Sequence, residues 1–256
     1  MKHIKKKYLF EKEIKSMSFD NYEFVGVDEM EKDTFKKVGK TKNLILQTTN
    51  ESLFAFVYND NGNHIAVPLP DFTLVYFDFA YNLNRSRKEK QKEMLSKLRD
   101  FKKFSEVSGE TLYSFYGHSS SCIINLFTSI ECFINHLIPE DKNYVDKKSN
   151  RTELYDKKQI QEQLAFWDKL KKVLPQFYDN KNFFAKSTPT NEHIVKLKEL
   201  RDLIIHTKSD MTGELQIELF KKLLKFNYDE TFKSVMKFMN FYIQDYIEEC
   251  PCNNDF

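Results

Sequence analysis

Glycine, proline and cysteine are scarce in this sequence, with six, six and four copies among 256 residues. Because tight turns depend on glycine and proline, their scarcity argues against an all-β protein. Cys122 and Cys132 fall in an apolar stretch and are expected in the core, while Cys250 and Cys252 lack the second pair of ligands that a zinc site requires. So few cysteines, in this arrangement, are typical of a reduced, cytoplasmic protein.

Long apolar runs are also missing. No stretch of about 18 apolar residues is present, as a membrane span would require. Glu11 and Glu13 interrupt the region where a signal peptide would continue its apolar core. A net charge of +2 is too small to indicate a nucleic-acid partner by itself. With 24 Phe and 13 Tyr, we expect a chain that folds around a real core and makes no membrane contact.

The first 84 residues carry short apolar runs that are rich in β-forming residues. They lie at 22–27, 43–46, 53–58 and 64–67. Between the last two, the segment Asn-Asp-Asn-Gly-Asn at 59–63 is typical of a tight turn. The pattern predicts a small β-hairpin or sheet within an N-terminal region, residues 1–84.

From residue 85 onward the apolar residues recur with helical periodicity. Helices are predicted at 86–104, 110–138, 153–174, 190–206, 213–226 and 228–249, the fourth capped by Thr190 and the last by Asn227. The fold class that we predict is mainly α, an up-and-down helical bundle over 85–256 with a small N-terminal β element. Its buried positions are expected to include Leu126, Ile130, Ile134, Leu164, Trp167, Leu197 and Ile204.

The segment 200–206 lies near the end of the fourth of these helices. It carries an arginine and a histidine whose side chains could act in the same reaction. Only five of the 40 Lys and Arg residues are arginines, so Arg201 is not a generic surface cation. Its guanidinium offers a planar fork of donors that fits phosphate oxygens. His206 is the side chain type that both takes and gives a proton near neutral pH. Together they are the minimal equipment for cleaving RNA without a metal.

The spacing of Arg201 and His206 limits what one chain can do. Five residues rotate an α-helix by roughly 140° and advance it by about 7.5 Å. The two side chains are therefore not stacked on one face, and a single chain gives a loose site. A two-fold axis near His206 would bring two Arg and two His into one cleft, so we expect a homodimer with its interface beside residues 201–208.

Each of these residues also has an ordinary structural interpretation. An Arg and a His near a helix end are often a solvated charge and a capping side chain. Glu131 and Asn135 are i, i+4 neighbours on the helix at 110–138, where they either shape a cleft beside Arg201 or bond a neighbouring helix. In both cases Glu131 is a candidate ion-pair partner for Arg201.

Leu-Arg-Asp-Leu-Ile-Ile-His-Thr-Lys at 200–208 resembles the signature of the HEPN superfamily. That signature is an Arg, then a polar residue, then a His four to six positions after the Arg, and Arg201, Asp202 and His206 match it. The segment 129–135 is similar to the acidic, Asn-containing second helix of many HEPN domains. The resemblance covers about residues 108–249. It departs from the Asn of many members by placing a carboxylate at Asp202.

This resemblance implies a metal-independent endoribonuclease with no cofactor, in which the 2′-hydroxyl attacks the adjacent phosphate. His206 would transfer protons, Arg201 would bind the phosphate, and Asp202 would orient one of the two. It also implies a toxin or antiphage effector, with RNA as the substrate and an antitoxin or activating partner. The competing hypothesis is a non-catalytic HEPN-like module that binds RNA or a nucleotide or serves in dimerisation.

Other basic residues and histidines are candidates for RNA or metal binding. The segment Arg85–Lys103 holds nine basic and three acidic residues, so it is either a phosphate-tracking face or the solvated side of an amphipathic helix. Lys208, next to the motif, is the better candidate for an RNA contact. His118, His136 and His193 show no paired ligand spacing, and we expect no metal site.

Overall fold

The structure, a computed structural model, describes residues 3–8, 20–26, 32–38, 41–47, 52–100, 109–208 and 210–251. Internal contacts divide the chain into two compact units, one of residues 6–75 and the other of residues 1–5 with 76–256. The architecture is mainly α with a small four-stranded sheet, which confirms the predicted fold class at that level. None of the helices within the described residues is long and apolar enough to cross a membrane.

The smaller unit is a four-stranded sheet with one helix on it. Its elements are β1 (Tyr22–Gly26), α1 (Lys32–Val38), β2 (Asn43–Gln47), β3 (Ser52–Asp60) and β4 (Asn63–Pro68). The strands lie in the order β1-β2-β3-β4, with β1 and β2 parallel and the other pairs antiparallel. Because side chains alternate along a strand, Leu44 and Leu46 pack with Phe35 of α1. Ile45 packs on the opposite face with Phe54.

The hairpin between β3 and β4 confirms the turn predicted from the sequence. Asn61 and Gly62 have φ values of 51° and 93°, the left-handed conformations that a two-residue hairpin loop needs and that Asn and Gly adopt most readily. The Gly62 N–H donates to the Asn59 side chain at 2.8 Å. Such a turn fixes the register of the two strands, which pairs Asp60 with Asn63.

The larger unit is helical. Its long helices are α2 (Phe72–Asp100, which begins in the smaller unit), α3 (Gly109–Leu137), α7 (Pro189–Ile205), α8 (Glu214–Lys225) and α9 (Tyr228–Tyr242). Shorter segments lie between α3 and α7: β5 (Tyr144–Lys147), β6 (Thr152–Tyr155), α4 (Lys157–Gln163), α5 (Phe166–Asp168), a π-helical turn (Lys169–Val173) and α6 (Leu174–Phe177). The helix α7 packs against α9, α3 and α8. This arrangement puts α7 beside α3, the most apolar of these five long helices.

The predicted helix at 153–174 is wrong in its first part and broken in the rest. Residues 152–155 instead form β6, an antiparallel hairpin with β5 in which Tyr144 pairs with Tyr155. The helix α4 starts only after Asp156, whose side chain and that of Gln159 cap each other's backbone N–H groups at 2.8 and 2.9 Å. The chain leaves the helix again at Leu164, where ψ is 138°.

Two helix ends also differ from their predicted positions. The helix α2 begins at Phe72 rather than at 86, because Asp71 accepts from the backbone N–H of Thr73 at 2.9 Å and so caps the first turn. The helix α9 ends at Tyr242 rather than at 249, because the Asn240 side chain bonds both backbone groups of Ile247, at 2.9 and 3.1 Å. That pair holds the chain after α9 in a non-helical path.

The predicted core is correct for the positions on α3 and for Leu197. Leu126, Ile130, Ile134 and Leu197 are buried. Leu164, Trp167 and Ile204 are only half-buried, so their predicted burial is wrong. Leu164 and Trp167 fall in the broken helical region, where the extended backbone at Leu164 changes the face that each residue presents. Ile204 lies in the last turn of α7, where few elements remain to cover it.

Candidate functional site

The helix α7 carries the three motif residues in and just after its last turn. It starts after Thr188, whose hydroxyl accepts from Asn191 N–H at 3.2 Å, so Thr188 and not the predicted Thr190 is the cap. It ends at Ile205, and His206 is the residue that follows, with its N–H donating to the carbonyl of Asp202 at 3.0 Å. The hydroxyl of Thr207 donates to the carbonyl of Ile204 at 2.8 Å, which satisfies another of the free carbonyls at this end.

The Arg201 guanidinium is held against α3. Its carbon lies 5.1 Å from the centre of the Phe127 ring, a cation–π arrangement. Its Nη1 donates to Asp202 at 3.1 Å, and its Nη2 lies 3.9 Å from a Glu131 carboxylate oxygen. The predicted ion pair between Glu131 and Arg201 is therefore present. Since the side chain of Arg201 remains 29% exposed, a ligand in solvent can still reach it.

Asp202 orients Arg201 rather than the His206 ring. Its second oxygen accepts from Lys198, one helical turn earlier, at 2.5 Å. Partial burial opposes the ionisation of Asp202, but the hydrogen bonds from Lys198 and Arg201 outweigh it, and the pKa of Asp202 lies below its usual value. The carboxylate is thus charged and neutralised by two cations, which reduces the repulsion of RNA that its charge would otherwise cause.

His206 and Lys208 lie on a different side of the helix end. Both are exposed, and they line a groove of about 580 Å³ between α7 and α8, together with Asp202 and Lys222. The groove does not include Arg201. Within one chain Arg201 therefore faces α3 while His206 faces α8, as their spacing along the helix predicts. One chain therefore places Arg201 and His206 on different sides of the helix end.

Glu131 and Asn135 line a second, smaller cavity of about 340 Å³ on the α3 side. Gln161, Phe166 and Lys169 also line it. They could not be predicted from the sequence, because they come from the broken helical region after β6. Lys169 donates to the carbonyl of Gln161 at 2.7 Å, and burial lowers its pKa while the charge of Glu131 opposes that effect. Lys198 was missed too, although its i, i+4 spacing from Asp202 could have indicated the contact.

The basic segment 85–103 is not a continuous phosphate-tracking face. Arg87 is 5% exposed and stacks over the Tyr228 ring at 3.9 Å, so it belongs to the core. Lys88 pairs with Asp229 at 2.8 Å, and Glu93 pairs with Lys90 and Lys97. Residues 101–103 lie outside the described residues. The described part of the segment is mainly the solvated side of α2, which favours the second of the two interpretations.

The described residues contain no group of three or more His, Cys, Asp or Glu side chains placed to hold a metal ion. In comparisons with known proteins, no family profile, curated protein or solved structure matches the chain. A functional assignment therefore depends on the residues of the chain and on their geometry.

Proposed function

We propose that the chain is a metal-independent endoribonuclease of the HEPN type. The observation that carries this proposal is the end of α7, where a partly exposed Arg201 and an exposed His206 lie five residues apart in the sequence. An arginine fork in α7 and an imidazole on the residue that follows the helix, both accessible to solvent, match the chemistry of RNA cleavage. The helical unit, with the long α3 beside α7, is consistent with a HEPN-like bundle.

The proposed reaction needs only groups of the protein and of the RNA. The 2′-hydroxyl attacks the neighbouring phosphorus and gives up its proton, and the 5′-oxygen of the next nucleotide leaves and gains one. His206 serves as the base or the acid, and Arg201 stabilises the charge that develops on the phosphate oxygens. The products are a 2′,3′-cyclic phosphate and a 5′-hydroxyl. Lys208 lines the groove with His206 and contacts the RNA backbone.

The first test is cleavage of total RNA by the purified chain in EDTA. We expect cleavage to persist in EDTA because no metal takes part, and the fragments to end in 2′,3′-cyclic phosphates because the 2′-hydroxyl is the nucleophile. A matched Arg201→Ala preparation should not cleave. Gel electrophoresis and end-group analysis measure both results. Cleavage that requires added magnesium, or equal cleavage by the Arg201→Ala protein, would contradict the proposal.

The proposed active form is a homodimer, because one chain leaves Arg201 and His206 on different sides of the helix end. Large apolar side chains are exposed at the end of α7, in the segment after it and on α8. Leu203 and Leu215 line the groove with His206, and Ile205, Met211 and Ile217 are also exposed. A surface of this kind, with charged residues such as Lys208 and Glu218 around it, is typical of a contact between protein chains. Pairing through it would bring two copies of the motif together.

We expect Ile205→Glu to convert a dimer into a monomer and to lower the cleavage rate at least about 10-fold, because a buried charge opposes association. Sedimentation velocity at micromolar concentration measures the first effect, and dilution of the wild type should reproduce the second. Leu154→Glu is the matched control, since Leu154 is similarly exposed on β6. A fully active monomer, or a dimer formed through residues 22–77, would count against the composite site.

One observation favours the non-catalytic alternative, a module that binds RNA or a nucleotide. Arg201 already has two carboxylate neighbours, Asp202 and Glu131, and a phosphate must compete with both for the guanidinium. If it cannot do so productively, the site binds without turnover. Expression separates the two functions, because an active ribonuclease is toxic to a bacterial host and a binding module is not. The Arg201→Ala variant is the reference for that comparison.

A further inference from the structure

The 340 Å³ cavity beside Arg201 has the size and polarity of a ligand site. Its walls come from α3, through Glu131 and Asn135, and from the segments after β6, through Gln161, Phe166 and Lys169. Glu131 is also the residue that approaches Arg201, at 3.9 Å. A ligand in the cavity therefore lies next to the group that is proposed to bind the scissile phosphate.

Two acceptors of this cavity lack a hydrogen-bond donor among the described residues. The Asn135 side-chain oxygen is fully buried and has no partner, which is unusual because buried polar atoms are nearly always paired. The Glu131 carboxylate approaches Arg201 only at 3.9 Å, beyond hydrogen-bond distance, and the side chain of Glu131 is 42% exposed. Both residues line the cavity, so these oxygens are the acceptors available for hydrogen bonds from the N–H groups of a ligand.

The opposite wall supplies a donor and a flat ring. The Lys169 ammonium gives one N–H to the carbonyl of Gln161 at 2.7 Å and has two further donors. The Phe166 ring is half-buried, and its centre lies 4.9 Å from the centres of both the Phe127 and Trp167 rings. Because its neighbours hold it in place, Phe166 offers a rigid surface on which a planar ligand can stack.

We propose that this cavity binds a guanine base of single-stranded RNA next to the phosphate held by Arg201, an inference that rests on the ribonuclease function proposed above. Guanine alone among the RNA bases presents two adjacent donors, N1–H and the 2-amino group, beside an acceptor, O6. The donors match Glu131 and Asn135, and O6 matches Lys169. Proteins commonly recognise unstacked RNA bases by such contacts on the Watson–Crick edge together with aromatic stacking.

The other bases fit this set of groups less well. Adenine and cytosine place an acceptor beside their amino group, and that acceptor would face the Glu131 carboxylate. Uracil has one N–H between two carbonyls, so it leaves the Asn135 oxygen without a donor. A buried acceptor that stays unpaired disfavours the wrong base more strongly than a missing contact alone. The cavity is therefore expected to determine where the RNA is cut.

The test uses short RNA oligonucleotides that carry one variable base on either side of each cleavable bond. We expect cleavage beside guanine to exceed cleavage beside adenine about 10 to 100-fold in kcat/KM. Inosine, which lacks only the 2-amino group, should lose most of that advantage. The analogue 7-deazaguanine keeps the whole Watson–Crick edge and should be cleaved like guanine. Equal cleavage beside all four bases would overturn the proposal and leave the ribonuclease function standing.

Variants of the cavity should change the preference between bases. Glu131→Gln and Lys169→Met are expected to reduce the guanine to adenine ratio about 10-fold each, because each removes one polar contact to the base edge. Lys172→Met is the matched control, since Lys172 lies in the same π-helical turn but pairs with Asp168 in solvent. A ratio that is unchanged in both cavity variants would contradict the assignment, provided that their circular dichroism spectra match the wild type.

Nucleotide binding tests the base site independently of the cleavage reaction. Trp167 is the only tryptophan of the chain, and its contact with Phe166 makes its fluorescence a probe of the cavity. Guanosine 5′-monophosphate should quench it with an affinity about 10-fold higher than that of the inosine or adenosine monophosphates, and Glu131→Gln should abolish the difference. That result without any RNA cleavage would reject the ribonuclease and keep the base site. Trp167 fluorescence that does not change with any of the three nucleotides would reject the base site.

Discussion

Replacing His206 by alanine should lower RNA cleavage by about 10² to 10⁴-fold, the usual contribution of a positioned acid–base group. The imidazole is exposed at the end of α7, so its removal creates no cavity in the core. The backbone N–H of residue 206, which bonds the Asp202 carbonyl at 3.0 Å, stays in place. The loss is thus expected in the rate of the chemical step, measured at saturating RNA, without a change in thermal stability.

The control for this experiment is His193→Ala. His193 lies near the start of the same helix and is half-buried away from the motif. It should cleave RNA at the wild-type rate. A folded His206→Ala protein with near-normal cleavage would remove His206 from the mechanism and leave Arg201 as a binding residue, which is the non-catalytic alternative.

Arg201→Lys should lower RNA cleavage by about 10² to 10³-fold, comparable to the loss of one donor to a developing oxyanion. The substitution keeps the charge but loses the planar fork that binds two phosphate oxygens at once. It also loses the stacking on Phe127 and the geometry of the contact with Asp202. Single-turnover kinetics should place the effect in the chemical step, with a smaller change in the affinity for RNA.

Arg151→Lys is the matched substitution elsewhere in the helical unit. Arg151 is exposed beside β6 and pairs with Glu153 at 2.6 Å, an interaction that lysine replaces at little cost. Its cleavage rate should equal that of the wild type. If Arg201→Lys retained full activity, a single positive charge would suffice at this position, and the bidentate phosphate contact would be refuted.

Local sequence patterns predicted those elements whose hydrogen bonds and packing involve residues close together in the sequence. The Asn61–Gly62 turn could be predicted because few residue types adopt two successive positive φ angles. The helices α3 and α8 were predicted to within about one residue, because each has a sustained apolar stripe and a clear stop. The region after β5 was missed, even though Asp156 and Gln159 carry the pattern of a capping box.

The candidate site, too, could be predicted from the sequence only in part. Arg201, Asp202 and His206 were found from the sequence because the motif spans six residues at one helix end, and helix geometry alone separates Arg201 from His206. Phe127 and Glu131 approach Arg201 only because α3 packs beside α7, and Lys169 shares a cavity with Glu131 only through the tertiary fold.

By itself, the sequence determined the chemistry of this protein's helix end: which residue can bind a phosphate, which can carry a proton, and that both lie in or just after one last turn. The tertiary structure decided what each side chain faces, because contacts between residues 30 to 70 positions apart depend on how helices pack and not on local periodicity. That packing held Arg201 against Glu131 and opened the cavity beside Phe166 that is proposed to select the base, whereas the pairing of Asp202 with Lys198 is a local contact between neighbouring turns of α7.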